Sequence, residues 1–239
     1  MFSVDLPPLK CVARIRSDFP TKFGIPRQSG LVDALRATVV FEPEYRDPAA
    51  LRGLEGFSHL WLLWLFSASV RAGWSPTVRP PRLGGNARMG VFATRSPFRP
   101  NPIGLSSVRL EGVDLHTPEG PVLVVSGADL MDDTPILDLK PYLPYGDCHP
   151  EASAGFAGPD GGGLLEVSCP EALLERLPPD KREALLGVLA RDPRPSYQSD
   201  PERVYGMAFA GWDIRFSVAG EVLTVREIAP LEENTRPQG

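Results

Sequence analysis

The stretch from Arg79 to Arg109 constrains the fold most, because it concentrates the two residue types that most restrict or free a backbone. Its prolines are Pro80, Pro81, Pro97, Pro100 and Pro102, and its glycines are Gly84, Gly85, Gly90 and Gly104. Proline fixes φ and has no amide donor, so residues 95–104 can form neither a helix nor a central strand. We predict a rigid, extended or turning loop that displays arginine side chains.

The same stretch carries a local positive charge. Seven of the chain's 25 basic residues and none of its 30 acidic residues lie between Arg71 and Arg109, although the net charge of the whole chain is −5. A positive strip on an acidic body predicts a specific anionic partner. The alternative, a surface loop of solvated arginines, does not explain why so many positions have a restricted φ.

The rest of the first 148 residues predicts short strands separated by turns. The chain has 27 prolines and 23 glycines in 239 residues, which disfavours long helices. Seven segments have strand-like composition or alternation: 11–16, 37–41, 57–66, 89–93, 105–113, 121–126 and 134–140. The apolar segment 57–66 predicts a strand buried on both faces. Seven short strands favour an antiparallel barrel or closed sheet.

A glycine-rich break near 148–163 predicts a second, smaller unit. Beyond it, helical patterns at 170–177 and 181–190 precede alternating segments at 203–209, 212–218 and 222–228. The predicted fold class is therefore mainly β, an antiparallel β-barrel over residues 1–148, with a smaller C-terminal α+β domain over residues 164–230.

Several function classes find no support in the sequence. There is no glycine-rich Rossmann or P-loop signature, no nucleophile-elbow motif and no metalloprotease motif. Cys11, Cys148 and Cys169 are far apart, which predicts neither a metal site nor a disulfide framework. The longest apolar run, 60–66, is too short to span a membrane, and the first residues lack a secretory signal pattern. We expect a cytoplasmic protein without a metal or a membrane contact.

A second polar cluster follows the last predicted strand of the barrel. Asp138 and Lys140 are two residues apart, which places them on one face of a strand, and Tyr142 and Tyr145 follow among prolines. They form either an exposed ion pair with packing tyrosines or part of a pocket shared with the arginine loop. His59, at the start of the apolar segment, is either a core histidine or a polar group at the mouth of that pocket.

These motifs together resemble the TsaA-like family. The resemblance rests on residues 85–104 and 138–145, and it extends to Pro26-Arg27-Gln28-Ser29-Gly30-Leu31, residues 53–61 and residues 192–198. It implies a β-barrel methyltransferase that uses S-adenosylmethionine without a Rossmann fold. It also implies a homodimer and a tRNA substrate, methylated on N6 of threonylcarbamoyladenosine in the anticodon loop.

The resemblance also implies which residues contact the cofactor. These are Pro26, Arg27, Gln28, His59, Leu60, Arg95, Leu105, Asp138, Leu139, Lys140 and Pro141. Arg27 or Arg95 suits the carboxylate of S-adenosylmethionine, and Asp138 suits its ribose hydroxyls or its amino group. Asp138, Lys140 and Tyr142 are the catalytic candidates. The positive strip predicts RNA contacts at Arg79, Arg82, Arg88 and Arg99.

Methyl transfer depends mainly on alignment at near-attack distance, which is consistent with the lack of a catalytic triad. Two other functions stay open at this point. One is a noncatalytic RNA-binding or adaptor module that retains the barrel. The other is a methyltransferase acting on a small molecule, which the positive strip disfavours.

Overall fold

The computed structural model describes residues 7–84, 86–158, 163–195, 198 and 200–232, apart from the side chain of Arg82. Predictions that fall on Gly85, on Gly161 and Gly162 and on Tyr197 lie outside the described residues. In the first part of the chain the strands are β1 (Ala13–Arg16), β2 (Arg36–Phe41), β3 (His59–Leu65), β4 (Thr77–Val78), β5 (Met89–Gly90), β6 (Ile103–Thr117), β7 (Gly120–Ser126) and β8 (Pro135–Pro141). A single helical turn, α1 (Pro144–Asp147), follows β8.

Six of these strands close into a barrel, in the order β1-β2-β7-β6-β3-β8. Every neighbouring pair is antiparallel, so the predicted antiparallel barrel is confirmed. Alternate side chains fill the interior, as the period of two along a strand requires. Along β3 these are Leu60, Leu62 and Trp64, which are almost fully buried.

The prediction that segment 57–66 is buried on both faces is wrong for the single chain. The residues of β3 alternate between buried and half-buried, because only one face of a barrel strand points into the core. The other face carries His59, Trp61, Leu63 and Leu65, which lie on the outside of the barrel.

The predicted strand at 89–93 is shorter than expected. Only β5 pairs, with β4, and residues Val91–Ala93 form a 3-10 turn. The pairing of β5 with β4 stops at Pro76, the residue before β4. The Val91 amide donates to the Pro76 carbonyl, but Pro76 has no amide to donate in return. Residues 95–102 contain neither helix nor strand, as predicted, but the prediction for 103–104 is wrong. Ile103 and Gly104 begin β6 and pair with β3, because the last proline of the loop is Pro102 and the residues after it have amides to donate.

The C-terminal unit is a four-stranded sheet with two helices. Its elements are β9 (Glu166–Ser168), α2 (Glu171–Leu174), α3 (Pro179–Ala190), β10 (Tyr205–Phe209), β11 (Trp212–Ala219) and β12 (Val222–Pro230). The sheet order is β10-β11-β12-β9, and β9, which the sequence patterns did not predict, runs parallel to β12. The helix predicted at 170–177 is only one turn long, and residues 175–177 turn toward Pro178, which disfavours helical backbone at Leu177.

The two units share a hydrophobic core through the long connection between β1 and β2. Phe19, Val32 and Leu35 from this connection are buried together with α3 and the C-terminal sheet. This connection also carries Pro26, Arg27 and Gln28, so its packing sets where those residues lie. Among the described residues, no helix is both long and apolar enough to cross a bilayer.

Candidate active site

A cavity of about 740 Å³ opens at one end of the barrel. Five segments line it: part of the β1–β2 connection, the end of β3 with the residues after it, the proline- and arginine-rich loop, the start of β6, and residues 129–134. Its volume lies within the range of small-molecule and cofactor sites. The segments meet there because the connections after β1, β3 and β7 all leave the barrel at this end.

Local hydrogen bonds hold the loop that forms one wall. The Phe98 amide donates to Ser96 Oγ (3.2 Å), and the Arg99 amide donates to the Pro97 carbonyl (3.0 Å). The Arg99 guanidinium also returns to the Thr94 carbonyl, with Nη1 3.1 Å from the oxygen. These bonds add to the fixed φ of the prolines, so Arg95 and Arg99 project from a backbone with few alternatives.

Positive charge dominates the lining of the cavity. Its charged residues are Lys22, Arg27, Arg95, Arg99 and Asp129. Arg95 donates through Nη1 to Gln28 Oε1, which joins the loop to the β1–β2 connection. Trp64, Phe66 and Phe92 supply an apolar wall. A ligand with an anionic end and an aromatic or apolar body fits this combination.

Asp129 is the one acidic residue among the described lining residues, and it is part of a buried polar chain. Trp64 Nε1 donates to Ser106 Oγ (2.9 Å), which donates to Asp129 Oδ1 (2.5 Å). Burial raises the pKa of Asp129 above its ordinary value, and the hydrogen bond from Ser106 and the charge of Arg95 offset this only in part.

The cofactor residues expected from the resemblance fall into two groups. Those at the cavity are Pro26, Arg27, Gln28, Arg95 and Leu105. The others lie on β3 and β8: His59, Leu60, Asp138, Leu139, Lys140 and Pro141. In the strand register, Leu105 is opposite Leu63, and Leu63 is opposite Asp138. Leu105 and Asp138 are therefore roughly 10 Å apart, two strand spacings across the outer face.

The second group contains both outward and inward side chains. Asp138 and Lys140 project outward as an exposed ion pair, with Oδ2 and Nζ 2.9 Å apart, so their predicted position on one face is confirmed. Leu60 is fully buried in the barrel, and Leu139 packs against the core. A ligand on the outer face can meet these two residues only through their main chain or a minor part of the Leu139 side chain.

Aromatic residues surround the ion pair on the outer face. The rings of Trp61 and Tyr142 are 5.5 Å apart, and the Tyr142 amide donates to the His59 carbonyl. His59 Nδ1 lies 2.9 Å from Ser58 Oγ and remains partly exposed. His59 is thus not a core histidine. Tyr145, with 88% of its surface exposed, has no packing role in the single chain.

Of the four RNA candidates, one lines the cavity and the other three lie around the two-stranded sheet β4–β5. Arg79 and Arg88 directly follow and precede the paired strands β4 and β5, and both are exposed. Arg99 lines the cavity itself. Arg82 lies in the 3-10 turn Pro81–Leu83, and its side chain is outside the described part of the structure.

Sequence reasoning missed several residues of this region. Asp129, Ser106 and Trp64 were hidden in a polar turn, a strand and an apolar run, and no local pattern distinguishes them. An exposed aromatic surface was missed as well. Trp74 and Phe92 are 54% and 73% exposed, with ring centroids 6.2 Å apart. Both lie in the positive strip between Arg71 and Arg109, and this position was the available signal of a functional role. No cluster of metal-binding side chains occurs among the residues that the structure describes.

Comparisons with known proteins identify relatives of both units. The family model of the tRNA-methyltransferase O N-terminal domain matches residues 14–148, and that of the TrmO C-terminal domain matches residues 166–231. A tRNA (adenine(37)-N6)-methyltransferase of Escherichia coli is 45% identical over 214 residues, covering 87% of this chain and 90% of that protein. A putative S-adenosylmethionine-dependent methyltransferase of Pseudomonas aeruginosa, RcsF, is 44% identical over 210 residues, covering 85% and 88%. The crystal structure of TrmO from Pseudomonas aeruginosa superposes with a TM-score of 0.77 and 35% identity, covering 94% and 99%.

Proposed function

This chain belongs to the tRNA-methyltransferase O family, and we propose that it methylates N6 of adenine 37 in tRNA with S-adenosylmethionine as the donor. The observation that carries the proposal is the cavity at the barrel end, where cationic, apolar and acidic groups meet. The names of the relatives point to the same reaction. A noncatalytic adaptor is not favoured, because the relatives of both units are named as methyltransferases.

The residues of the cavity fit the donor. Arg27 and Arg95 offer guanidinium groups for its carboxylate, and Trp64 and Phe66 offer an apolar surface for its adenine or its methionyl chain. S-adenosylmethionine supplies an electrophilic methyl group on a sulfonium. Arg95→Ala should weaken its binding about tenfold, the effect of losing one charge-assisted hydrogen bond. An unchanged Kd in calorimetry would remove Arg95 from the site.

We further propose that the adenine must already carry a threonylcarbamoyl group. That group adds a carboxylate, and Arg99, held by its bond to the Thr94 carbonyl, is placed in the cavity to bind it. The binding energy then aligns N6 for reaction. The carbonyl next to N6 also makes its proton more acidic than that of an unmodified adenine.

The test is a methyl-transfer assay on one tRNA species prepared with and without threonylcarbamoyl. We expect transfer to the modified tRNA and almost none to the unmodified tRNA. Equal rates on the two would refute recognition of the modification. Transfer to neither tRNA, from a folded protein that binds S-adenosylmethionine, would refute the tRNA function.

The proposed RNA surface extends from the cavity to Arg79 and Arg88, with Arg82 expected beside them. Trp74 and Phe92 add exposed rings on which unpaired anticodon-loop bases can stack. Charge removal at Arg79 and Arg88 should weaken tRNA binding and flatten its salt dependence, because each phosphate contact releases counterions. Identical salt slopes for wild type and variant would place the RNA elsewhere.

The remaining expectations concern assembly and the outer face. We propose a homodimer that acts in the cytoplasm, in which a partner subunit covers part of the outer face around Leu105 and the Asp138–Lys140 pair. Leu105 is 51% exposed in the single chain, which is unusual for a leucine beside a ligand cavity. Sedimentation equilibrium tests this, and a monomer at micromolar concentration would contradict it. The roles of Asp138, Lys140 and Tyr142 as cofactor or catalytic residues stay predictions.

A further inference from the structure

Methylation of N6 creates a proton that must leave, and the cavity contains a group suited to accept it. The N6 of a threonylcarbamoyl-adenine bears one hydrogen, whereas the methylated product bears none. Of the charged side chains that line the cavity, Lys22, Arg27, Arg95 and Arg99 are cations at neutral pH and cannot act as bases. Asp129 is the lining side chain that can take up the proton.

A chain of hydrogen bonds fixes the position of Asp129. It lies shortly after the end of β7 at Ser126, and its carboxylate accepts from Ser106 Oγ, which is itself held by Trp64 Nε1. The charge of Arg95, in the proline- and arginine-rich loop, and a backbone hydrogen bond from Ser29, in the β1–β2 connection, both favour the ionised carboxylate. The bond from Ser106 thus holds the carboxylate at the wall of the cavity, as a positioned proton acceptor requires.

We propose that Asp129 is the general base of the methyl transfer, with Ser106 as its positioning residue. As N6 forms its bond to the methyl carbon, the carbon–sulfur bond breaks toward sulfur, and the proton on N6 passes to a carboxylate oxygen of Asp129. The proton then leaves to solvent through the open cavity. This inference rests on the proposed function.

The environment of Asp129 suits this role. Burial raises the pKa of its carboxyl group, which makes the carboxylate a stronger base than an exposed aspartate. The bond from Ser106 and the charge of Arg95 favour the ionised form and oppose this shift in part. A base whose pKa lies closer to the working pH transfers protons more effectively.

The first variant is Asp129→Asn, which keeps the size of the side chain and its acceptor oxygen for Ser106. We expect kcat to fall by roughly 10²–10⁴-fold, the usual contribution of a general base. The Kd values for S-adenosylmethionine and for tRNA should stay within about threefold of wild type. A large loss of donor affinity with kcat nearly unchanged at saturation would overturn the proposal and assign Asp129 to donor binding.

The second variant, Ser106→Ala, gives a test that does not depend on Asp129→Asn folding. The hydrogen bond from Ser106 lowers the pKa of Asp129, so its loss should raise that pKa. The rise of kcat with pH should then move to higher pH. Carbon-13 NMR of the aspartate carboxyl groups in the free protein should show the same upward displacement, and this readout does not depend on activity.

A displaced carboxyl titration with an unmoved pH–rate profile would overturn the proposal, because the titrating group would not control the reaction. Ser107, the next residue in β6, provides a matched control, because it takes no part in the hydrogen bonds from Trp64 through Ser106 to Asp129. Ser107→Ala should change neither curve. Full activity of Asp129→Asn would refute the role of Asp129 and leave the proposed function intact. An inactive wild-type protein would refute the proposed function, and the role of Asp129 with it.

Discussion

At the scale of single residues, the ion pair between Asp18 and Lys181 makes the stability of the protein depend on pH. Lys181 Nζ lies 2.8 Å from the Asp18 carboxylate, and both side chains are largely buried. Burial raises the pKa of Asp18, and the hydrogen bond and charge of Lys181 reverse this only in part. Removing the lysine therefore leaves a carboxylate that is costly to keep ionised inside the protein.

We predict that Lys181→Met destabilises the protein by about 3–5 kcal/mol near neutral pH. Asp18 has a raised pKa in the folded state, so its contribution to stability is full below the unfolded pKa and is lost as pH rises through the folded pKa. Without Lys181 the folded pKa rises further, and the loss grows. The difference from wild type should be smallest at about pH 4 and increase toward pH 7.

Urea unfolding at several pH values measures this difference. Lys10→Met is the control, because the Lys10–Glu44 pair is exposed and its loss should change stability little at any pH. A destabilisation of Lys181→Met that does not depend on pH would mean that Asp18 is not the affected group.

Residue by residue, the sequence predicted the cations of the site better than its acid. Arg95 and Arg99 stand in a loop whose prolines already exclude regular structure, so their display could be inferred from composition alone. Asp129 lies three residues before another aspartate in an ordinary polar turn. Only folding brings it against Ser106, 23 residues away, and buries it.

At the scale of elements, strand β6 forms a wall of the cavity because one of its residues has no side chain. Gly104 lies directly opposite Trp64 on β3, and the indole packs over it. A Cβ at Gly104 would stand 2.3 Å from Trp64 Cε2. The same indole donates to Ser106, so the close approach at Gly104 supports the polar chain to Asp129.

We predict that Gly104→Ala destabilises the protein by about 1–3 kcal/mol, the usual cost of overpacking. The displaced indole should also lose its bond to Ser106. Gly112→Ala is the matched control in the same strand, because a Cβ there meets nothing within 4 Å. Chemical unfolding of both variants decides the matter, and equal stabilities would show that β3 and β6 can separate without cost.

Elements with a strong local pattern were predicted well, and those that depend on a partner were not. β2, β7, β8, α3 and β11 each carry their own alternation or helical period. β9 is three residues long and exists because β12 offers an edge to pair with. β5 is short because Pro76 precedes its partner β4, which no inspection of β5 alone reveals.

At the scale of the whole molecule, the C-terminal unit holds the connection that carries Pro26, Arg27 and Gln28 to the cavity. Gly24 has φ of +94°, and a Cβ there would meet Met207 Sδ at 2.1 Å, so this residue must be small as well as left-handed. The Ala210 amide donates to the Asp18 carbonyl. Pro26, Arg27 and Gln28 lie between these contacts and Val32, which packs on α3.

This dependence could not be read from the sequence. The apolar residues of the connection have no period, and the glycine-rich break at 148–163 predicted two units rather than a shared core. The connection ends before Arg36 and the C-terminal unit begins at Glu166, so the two are far apart in sequence and only the tertiary structure joins them. We infer that the C-terminal unit serves the reaction by fixing the position of Arg27 and Gln28.

The last prediction tests that role through helix α3. A Cβ at Gly187 would lie 2.7 Å from Val32 Cγ1, so Gly187→Ala should push the connection away from the helix. In an unhindered helix the same change would stabilise by about 1 kcal/mol. Here we expect S-adenosylmethionine to bind roughly threefold to tenfold more weakly, although Gly187 does not line the cavity.

Val32→Ala removes the methyl group that the new Cβ would contact, so the double variant should recover most of the affinity. Calorimetry on the two single variants, the double variant and the exposed Glu183→Ala on the same helix completes the cycle. Affinity that falls in Gly187→Ala and is not restored by Val32→Ala would refute transmission through this contact, and affinity that never changes would refute the positioning role of the C-terminal unit.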